Sequence, residues 1–483
     1  MPSRASLLPP VLLVLAVAGS ATAQDPRAGA ERYRLGTAAE KAGDLAGARR
    51  EYEEAIRLAP KLAVAHDRLG FVRGLQGETA DAIAHFEEAV RLDPRLFDAR
   101  YHLGATLWWA GRSQDALPVL REAVTLRPEH PEARYYLGLA LEQQGHVDEA
   151  IVELRRVVER APRLAPAQLQ LGLALQKQGD VPGALSALRE AVALEPKNKD
   201  AANSLGLALL QKGEADEALR TFQNLVREQP DFREARHNLG SACMQMGDLD
   251  GAIAVYRELL QRDEADAEAL YNLGMALKQK DDFAGAEAEL RKATALDRTL
   301  PEPPYTLAVV LWQTGRPEEA VTQLREAIAR KPDYADAHYV LGTVLRQLGQ
   351  TDEALAELRA TIRYQPTSAE AHLSLGQLLQ QKQQANEAAA AFAEAQRLLR
   401  RKADAQAATF AVSVGLKRIK DNDTAGAIER FREAVRLSPD YPEAHYQLGL
   451  ALLATGGKAE AHAEFAAAQR LAPYLKAPEA PRP

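Results

Sequence analysis

A Leu-Gly pair returns every 34 residues, at Leu35-Gly36, Leu69-Gly70, Leu103-Gly104, Leu137-Gly138, Leu171-Gly172, Leu205-Gly206, Leu239-Gly240 and Leu273-Gly274. The series runs on through Leu307-Ala308, Leu341-Gly342 and Leu375-Gly376, and resumes after an insertion at Val414-Gly415 and Leu448-Gly449. A period this regular displaces the two or three globular domains that 483 residues would otherwise suggest.

Twelve residues past each small residue stands an alanine, from Ala48 to Ala461. Four further on comes an aromatic or leucine, such as Tyr52, Phe86, Leu120, Phe222 or Phe431. Each repeat holds two apolar stretches of helical period, commonly parted by a glycine such as Gly43, Gly77 or Gly111, where the chain must turn tightly. A proline usually closes the repeat, as at Pro60, Pro94 and Pro128, stopping the second helix. The small residues let two helices approach, and the larger residue fills the gap between them. One such pair cannot bury its apolar face, but stacked pairs can.

The rule has departures. Glu264, Arg298 and Arg400 stand where the closing proline is expected, Asp281 and Asn422 replace the turn glycine, and Ala308 replaces the first-helix glycine. About five extra residues, Ala403–Ala407, follow the eleventh repeat, and no breaker lies in Arg397–Lys402. Five helical residues turn a face by about 500°, a net rotation of about 140°. Either the second helix of that repeat is longer here, or the array is jointed, with residues 29–402 and 408–475 as two blocks.

Alanine, leucine, glutamate and arginine dominate a chain that is 46% hydrophobic but only 6% aromatic, a composition of strong helix formers. No stretch alternates valine, isoleucine and threonine, so no sheet is expected. The formal net charge of -7, without a basic run, argues against nucleic acid and anionic membrane surfaces as partners. Cys243 is the single cysteine, which rules out an intramolecular disulfide and a multi-cysteine zinc site and reads as a small buried hydrophobe.

The pattern resembles the tetratricopeptide repeat family over about residues 29–475, in thirteen repeats. The resemblance implies an all-α fold, a right-handed superhelical solenoid of about thirteen antiparallel helix pairs. In such arrays the first helices line a concave groove that binds peptides or organises protein complexes. First-helix positions 2, 5, 6, 9, 12 and 13 tend to face that groove in the family.

Laid in this register, the sequence forms ladders. Position 5 is tyrosine at Tyr33, Tyr101, Tyr135, Tyr271, Tyr305, Tyr339 and Tyr446. Position 13 is glutamine at Gln143, Gln211, Gln245, Gln279, Gln313, Gln347 and Gln381. Position 2 is acidic in nine repeats, including Asp98, Glu132 and Glu268. All three tryptophans, Trp108, Trp109 and Trp312, fall at positions 12 or 13. Each ladder also has a scaffold reading: acids complement the helix dipole, tyrosines pack between helices, and glutamine is a good exposed helix former. Tryptophan at a groove-facing position points more directly to a ligand, because a large aromatic is costly to leave in water. The lining suggests an extended polypeptide with basic side chains.

No G-x-S-x-G, H-E-x-x-H or G-x-G-x-x-G occurs, and Gly456-Gly457-Lys458 lacks the rest of a phosphate loop. His66, His338, His372 and His445 share position 4, where equivalent residues lie too far apart to hold one metal. No cofactor or metal is expected, and no catalytic residue.

Residues 1–23 read as a secretory signal peptide, with Arg4, an apolar run from Leu7 to Ala18 and an Ala21-Thr22-Ala23 cleavage site. The alternative is an uncleaved N-terminal anchor. Residues 24–28 are expected as a linker and 476–483 as a disordered, proline-containing tail. The C-terminal repeat has no capping element, so that end is expected to stack on another protein or on a second copy. These readings converge on an exported, periplasmic or secreted scaffold that binds a protein or peptide and is not an enzyme. The runner-up is a component of an envelope export or assembly machine for polysaccharide or pilus.

Overall fold

The computed structural model describes residues 25–475, within which there are 25 helices and no strand. The segments expected as signal peptide and tail lie outside the described residues. The chain forms two compact units that divide between residues 179 and 196, within α10 (Val181–Leu194).

The first unit runs through α1 (Pro26–Lys41), α2 (Leu45–Leu58), α3 (Ala63–Leu75), α4 (Thr79–Leu92), α5 (Phe97–Trp109), α6 (Ser113–Leu126), α7 (Pro131–Gln143), α8 (Val147–Arg160) and α9 (Ala165–Gln178). The second begins with α11 (Lys199–Lys212), α12 (Ala215–Glu228), α13 (Arg233–Met246), α14 (Leu249–Arg262), α15 (Ala267–Gln279) and α16 (Phe283–Leu296). It continues with α17 (Glu302–Gln313), α18 (Pro317–Arg330), α19 (Ala335–Gln347), α20 (Thr351–Tyr364), α21 (Ala369–Gln381), α22 (Ala385–Lys420), α23 (Thr424–Leu437), α24 (Pro442–Ala454) and α25 (Lys458–Leu471). Within each unit every helix packs on its chain neighbours, so each unit is a stack of helix pairs, one pair to each 34-residue repeat.

The first-helix glycine makes the close approach within a pair. A Cβ on Gly104 would lie 2.6 Å from Leu120 Cγ, and one on Gly240 would lie 2.5 Å from the Tyr256 ring. Tyr52, Phe86, Leu120, Leu154, Phe222, Tyr256 and Phe431 are accordingly sealed in the core, each against its own glycine, together with the alanines four residues before them. Where Ala308 stands instead, it too is fully buried.

The turns follow from backbone geometry. Gly43 and Gly77 take φ of 80° and 82°, the left-handed region that glycine enters without a Cβ penalty. Asp281 and Asn422 take the same conformation at 60° and 61°, as short polar side chains can. Gln383 does so at 63°, a third substitution at this place. Several second helices open with an aspartate whose carboxylate accepts from the backbone N–H three residues on, as Asp44 does from Gly47 and Asp248 from Gly251.

Two boundaries differ from expectation. Helix α1 already begins at Pro26, capped by Asp25, which accepts from the N–H groups of Arg27 and Ala28. The expected linker over 24–28 is therefore helical from Pro26. The extra residues Ala403–Ala407 lie inside α22, a single helix of 36 residues that serves as the second helix of one repeat and the first of the next. Arg400 replaces the proline that would have ended it, and the flanking residues are good helix formers, so nothing stops the helix. Helix α22 runs through 403–407 without a turn.

Candidate peptide-binding face

Position 4 of the first helix carries a rule that spans repeats of both units. Its side chain reaches back six residues to the carbonyl of the proline that closes the preceding repeat. His66 meets Pro60 O at 3.1 Å, His338 meets Pro332 O at 3.0 Å and His445 meets Pro439 O at 3.0 Å. Arg100 and Arg134 donate to Pro94 O and Pro128 O in the same way. The other ring nitrogen of His338 and of His445 meets Glu357 and Glu464, each at 2.5 Å, on the partner helix. The histidines thus satisfy carbonyls in the turns between repeats. Among the described residues no group of three or more His, Cys, Asp or Glu side chains is placed to hold a metal.

The tryptophans sit in two settings. In the first unit, Trp108 packs into the core shared by α4, α5, α6, α7 and α8, with its indole N–H buried and without a partner. Trp109, the last residue of α5, is 71% exposed. Its indole stands edge-on to Trp108 with centroids 5.1 Å apart, and its Nε1 donates to Tyr136 Oη at 3.1 Å. From there the rings run on without a gap. Tyr136 lies 5.7 Å from Trp108 and 6.1 Å from Tyr101, and Tyr101 lies 6.0 Å from Phe97 and 5.2 Å from His130. Tyr135 stands edge-on to Tyr136 at 5.6 Å. Two ring faces in this unit already carry guanidinium groups: Arg68 lies 4.6 Å from the Phe71 centroid and Arg127 lies 4.4 Å from that of Phe97.

This aromatic wall joins residues expected on the binding face with others that were not. Tyr101, Tyr135, Trp108 and Trp109 are brought together, and Tyr136, Phe97 and His130 complete the contact. Tyr136 occupies position 6, itself a groove-facing position in the resembling family, so the register could have found it. Burial, then the neighbouring Tyr136 phenol and the Glu132 carboxylate, push the Tyr101 phenol up to about 12.

Trp312 lies apart from this wall, in the second unit. It is half-buried, and its Nε1 donates to Gln347 Oε1 at 2.7 Å, joining position 12 of one repeat to position 13 of the next. Gln245 makes a related contact to Leu210 O at 3.2 Å. Gln143, Gln211, Gln279 and Gln313 are exposed at the ends of their first helices. Tyr271, Tyr305 and Tyr339 are half-buried, and Tyr305 packs on Tyr334 with centroids 5.1 Å apart. Burial raises the Tyr271 and Tyr305 phenols above the ordinary value. The expected tyrosines therefore serve partly as packing groups.

Where the tyrosine ladder is broken, polar pairs take its place. Asp67, at position 5, is buried and accepts from His102 Nδ1 at 2.7 Å. His237, also at position 5, meets Asp266. Single-sequence register offered no signal for either pair, because each joins residues of different repeats. Cys243 is buried as expected, and burial raises its thiol pKa.

A family model described as "Cilia and flagella-associated protein 70 C-terminal domain" matches residues 164–411. Models described as "Tetratricopeptide repeat" match 32–62, 76–117 and 106–165, and one described as "TPR repeat" matches 415–456. No curated protein matches the chain. Among solved structures, MamA is 32% identical, with 34% of this chain and 96% of that chain covered at a TM-score of 0.33. TTC0263, from Thermus thermophilus, is 25% identical, with 38% and 98% covered at 0.34. The Cut9-Hcn1 structure is 15% identical, with 92% and 94% covered at 0.33.

Proposed function

Because the chain belongs to the tetratricopeptide repeat family, we propose that it is a non-enzymatic scaffold that binds an extended, basic stretch of polypeptide on its first-helix aromatic wall. The observation that carries this reading is Trp109, a large ring left open to solvent yet held in place by Trp108 and Tyr136. A rigid, exposed aromatic is the kind of residue that anchors a partner. Its indole face attracts a lysine or arginine side chain, as faces elsewhere in the same unit attract Arg68 and Arg127. The acids at position 2 favour the same sign of ligand.

Anisotropy titration of the full chain with labelled twelve-residue peptides, one set rich in lysine and one rich in glutamate, tests the proposal. The basic set binds, and Trp109→Ala weakens it at least tenfold. Equal binding of both sets, or indifference to Trp109→Ala, would sink the reading. The proposed setting is the periplasm or exterior, after export and cleavage before Gln24. N-terminal sequencing of protein from the envelope fraction checks this, and an intact Met1 there counts against it.

A further inference from the structure

Helix α22 changes its buried face part-way along. Ala388, Ala395 and Leu398 are buried in its first half, and Ala408, Ala411, Val412 and Gly415 in its second. At about 100° per residue the two faces differ by more than a quarter turn, as an insertion of five residues requires. Between them, residues 399–407 are exposed except for the half-covered Asp404. Leu399, Ala403, Gln406 and Phe410 fall within about 60° of arc and span about 16 Å of one face. Leu399 is 47% exposed and Phe410 71% exposed.

Cations border this stripe. Lys402 lies about 60° to one side and Arg400 about 100° to the other. Arg397 and Arg401 are paired with Glu394 and Asp440, whereas Arg400 and Lys402 make no ion pair among the described residues. The acids of α22 that flank the stripe, Glu394 and Asp404, each lie about 140° round the helix from Leu399. In a chain of net charge -7, an exposed stripe that carries Leu399, Ala403 and Phe410 around one amide, Gln406, and is flanked by two unpaired cations is out of keeping with its surroundings.

We propose that this stripe docks an acidic amphipathic helix from a partner protein. Spacing of i, i+4, i+7 and i+11 is that of the seam along which one helix packs on another, side chains of each entering the grooves of its partner. Carboxylates beside that seam would meet Arg400 and Lys402. The site lies on α22 in the second unit and shares no residue with the aromatic wall of the first.

The test uses the full chain and a stapled fourteen-residue helical peptide with leucine at i, i+4, i+7 and i+11 flanked by glutamates. A copy with lysine for every glutamate, anionic vesicles and sedimentation of the chain alone are run beside it. The acidic peptide binds and the lysine copy does not. Phe410→Ala, and separately the pair Arg400→Glu with Lys402→Glu, weaken it at least tenfold. Circular dichroism and binding of the basic peptide at the wall stay unchanged in these variants, which separates this site from the proposed groove. The proposal is overturned by equal binding of both stapled peptides, by indifference to Phe410→Ala, by binding of vesicles in place of peptide, or by a Phe410-dependent dimer that binds no peptide.

Discussion

Asp266 accepts a hydrogen bond from His237 Nε2 at 2.9 Å, with both side chains sealed from solvent. The same carboxylate caps α15 through the Ala269 N–H at 3.0 Å and pairs with Arg233 at 2.9 Å. One aspartate thus fixes the start of one helix to the face of another.

Burial alone would raise the pKa of Asp266, but the Ala269 N–H and the Arg233 and His237 side chains outweigh it and hold the carboxyl below its ordinary value. A group depressed in the folded state contributes stability that is full above its unfolded pKa and is lost as pH falls through the folded one. This contribution fades below about pH 4. Asp266→Ala costs about 3 kcal/mol at pH 7, through the lost cap and the stranded partners, and less at acid pH, where the part due to the depressed carboxyl is lost. Urea titrations of both proteins at pH 7 and pH 3 check this.

The tyrosines predict an alkaline limit. An acid whose folded pKa is raised keeps its proton longer in the folded chain, so stability declines once pH exceeds the unfolded value, about 10. Tyr101 and Tyr256 are both pushed up to about 12, chiefly by burial. Ultraviolet titration should show a phenolate fraction that appears only well above pH 11 or with unfolding, and Tyr101→Phe should lessen the loss between pH 10 and 12.

Two glycines test the packing rule with opposite signs. Gly74 lies in α3, where an added Cβ would sit 3.8 Å from Ala82 Cβ, an ordinary contact. Gly74→Ala should stabilise by about 0.5–1 kcal/mol through helix propensity. Gly104→Ala gains the same propensity but drives a methyl into Leu120, and should cost about 1–3 kcal/mol net. Thermal melts of the two variants should shift in opposite directions.

The two adjacent tryptophans also separate stability from binding. Trp109→Ala should change stability by less than about 0.5 kcal/mol, since the ring is mostly exposed. Trp108→Ala removes a ring packed into the core and should cost about 2–3 kcal/mol, reduced by the loss of an unsatisfied indole N–H. Urea unfolding followed by circular dichroism distinguishes them.

The repeat made the succession of helix pairs legible, because Leu-Gly, the alanine twelve residues on and the closing proline each encode a local feature of one helix pair. What joins one repeat to another was less legible. Position-4 histidines could be discounted as metal ligands from their register, but their bond to a proline carbonyl six residues back appears only once the turn is formed. Gln383 was hidden because glutamine carries no signal for positive φ. The aromatic wall was half visible: Trp108 and Trp109 stood out by type, whereas sequence could not tell that one is packed and the other open. Tyr136 of the next repeat meets both, the ring of Trp108 and the indole N–H of Trp109.

The fused helix α22 also bears on how this chain would yield to a pull. Stacked helix pairs can come apart one after another, since each exit turn is a place where unravelling can halt and start again. Between the eleventh and twelfth repeats that stopping place is missing, and a single rod crosses the junction. Tension applied at the C-terminal side would therefore be carried across this point without relief, so that the last repeats either hold together with their neighbours or surrender the whole rod at once.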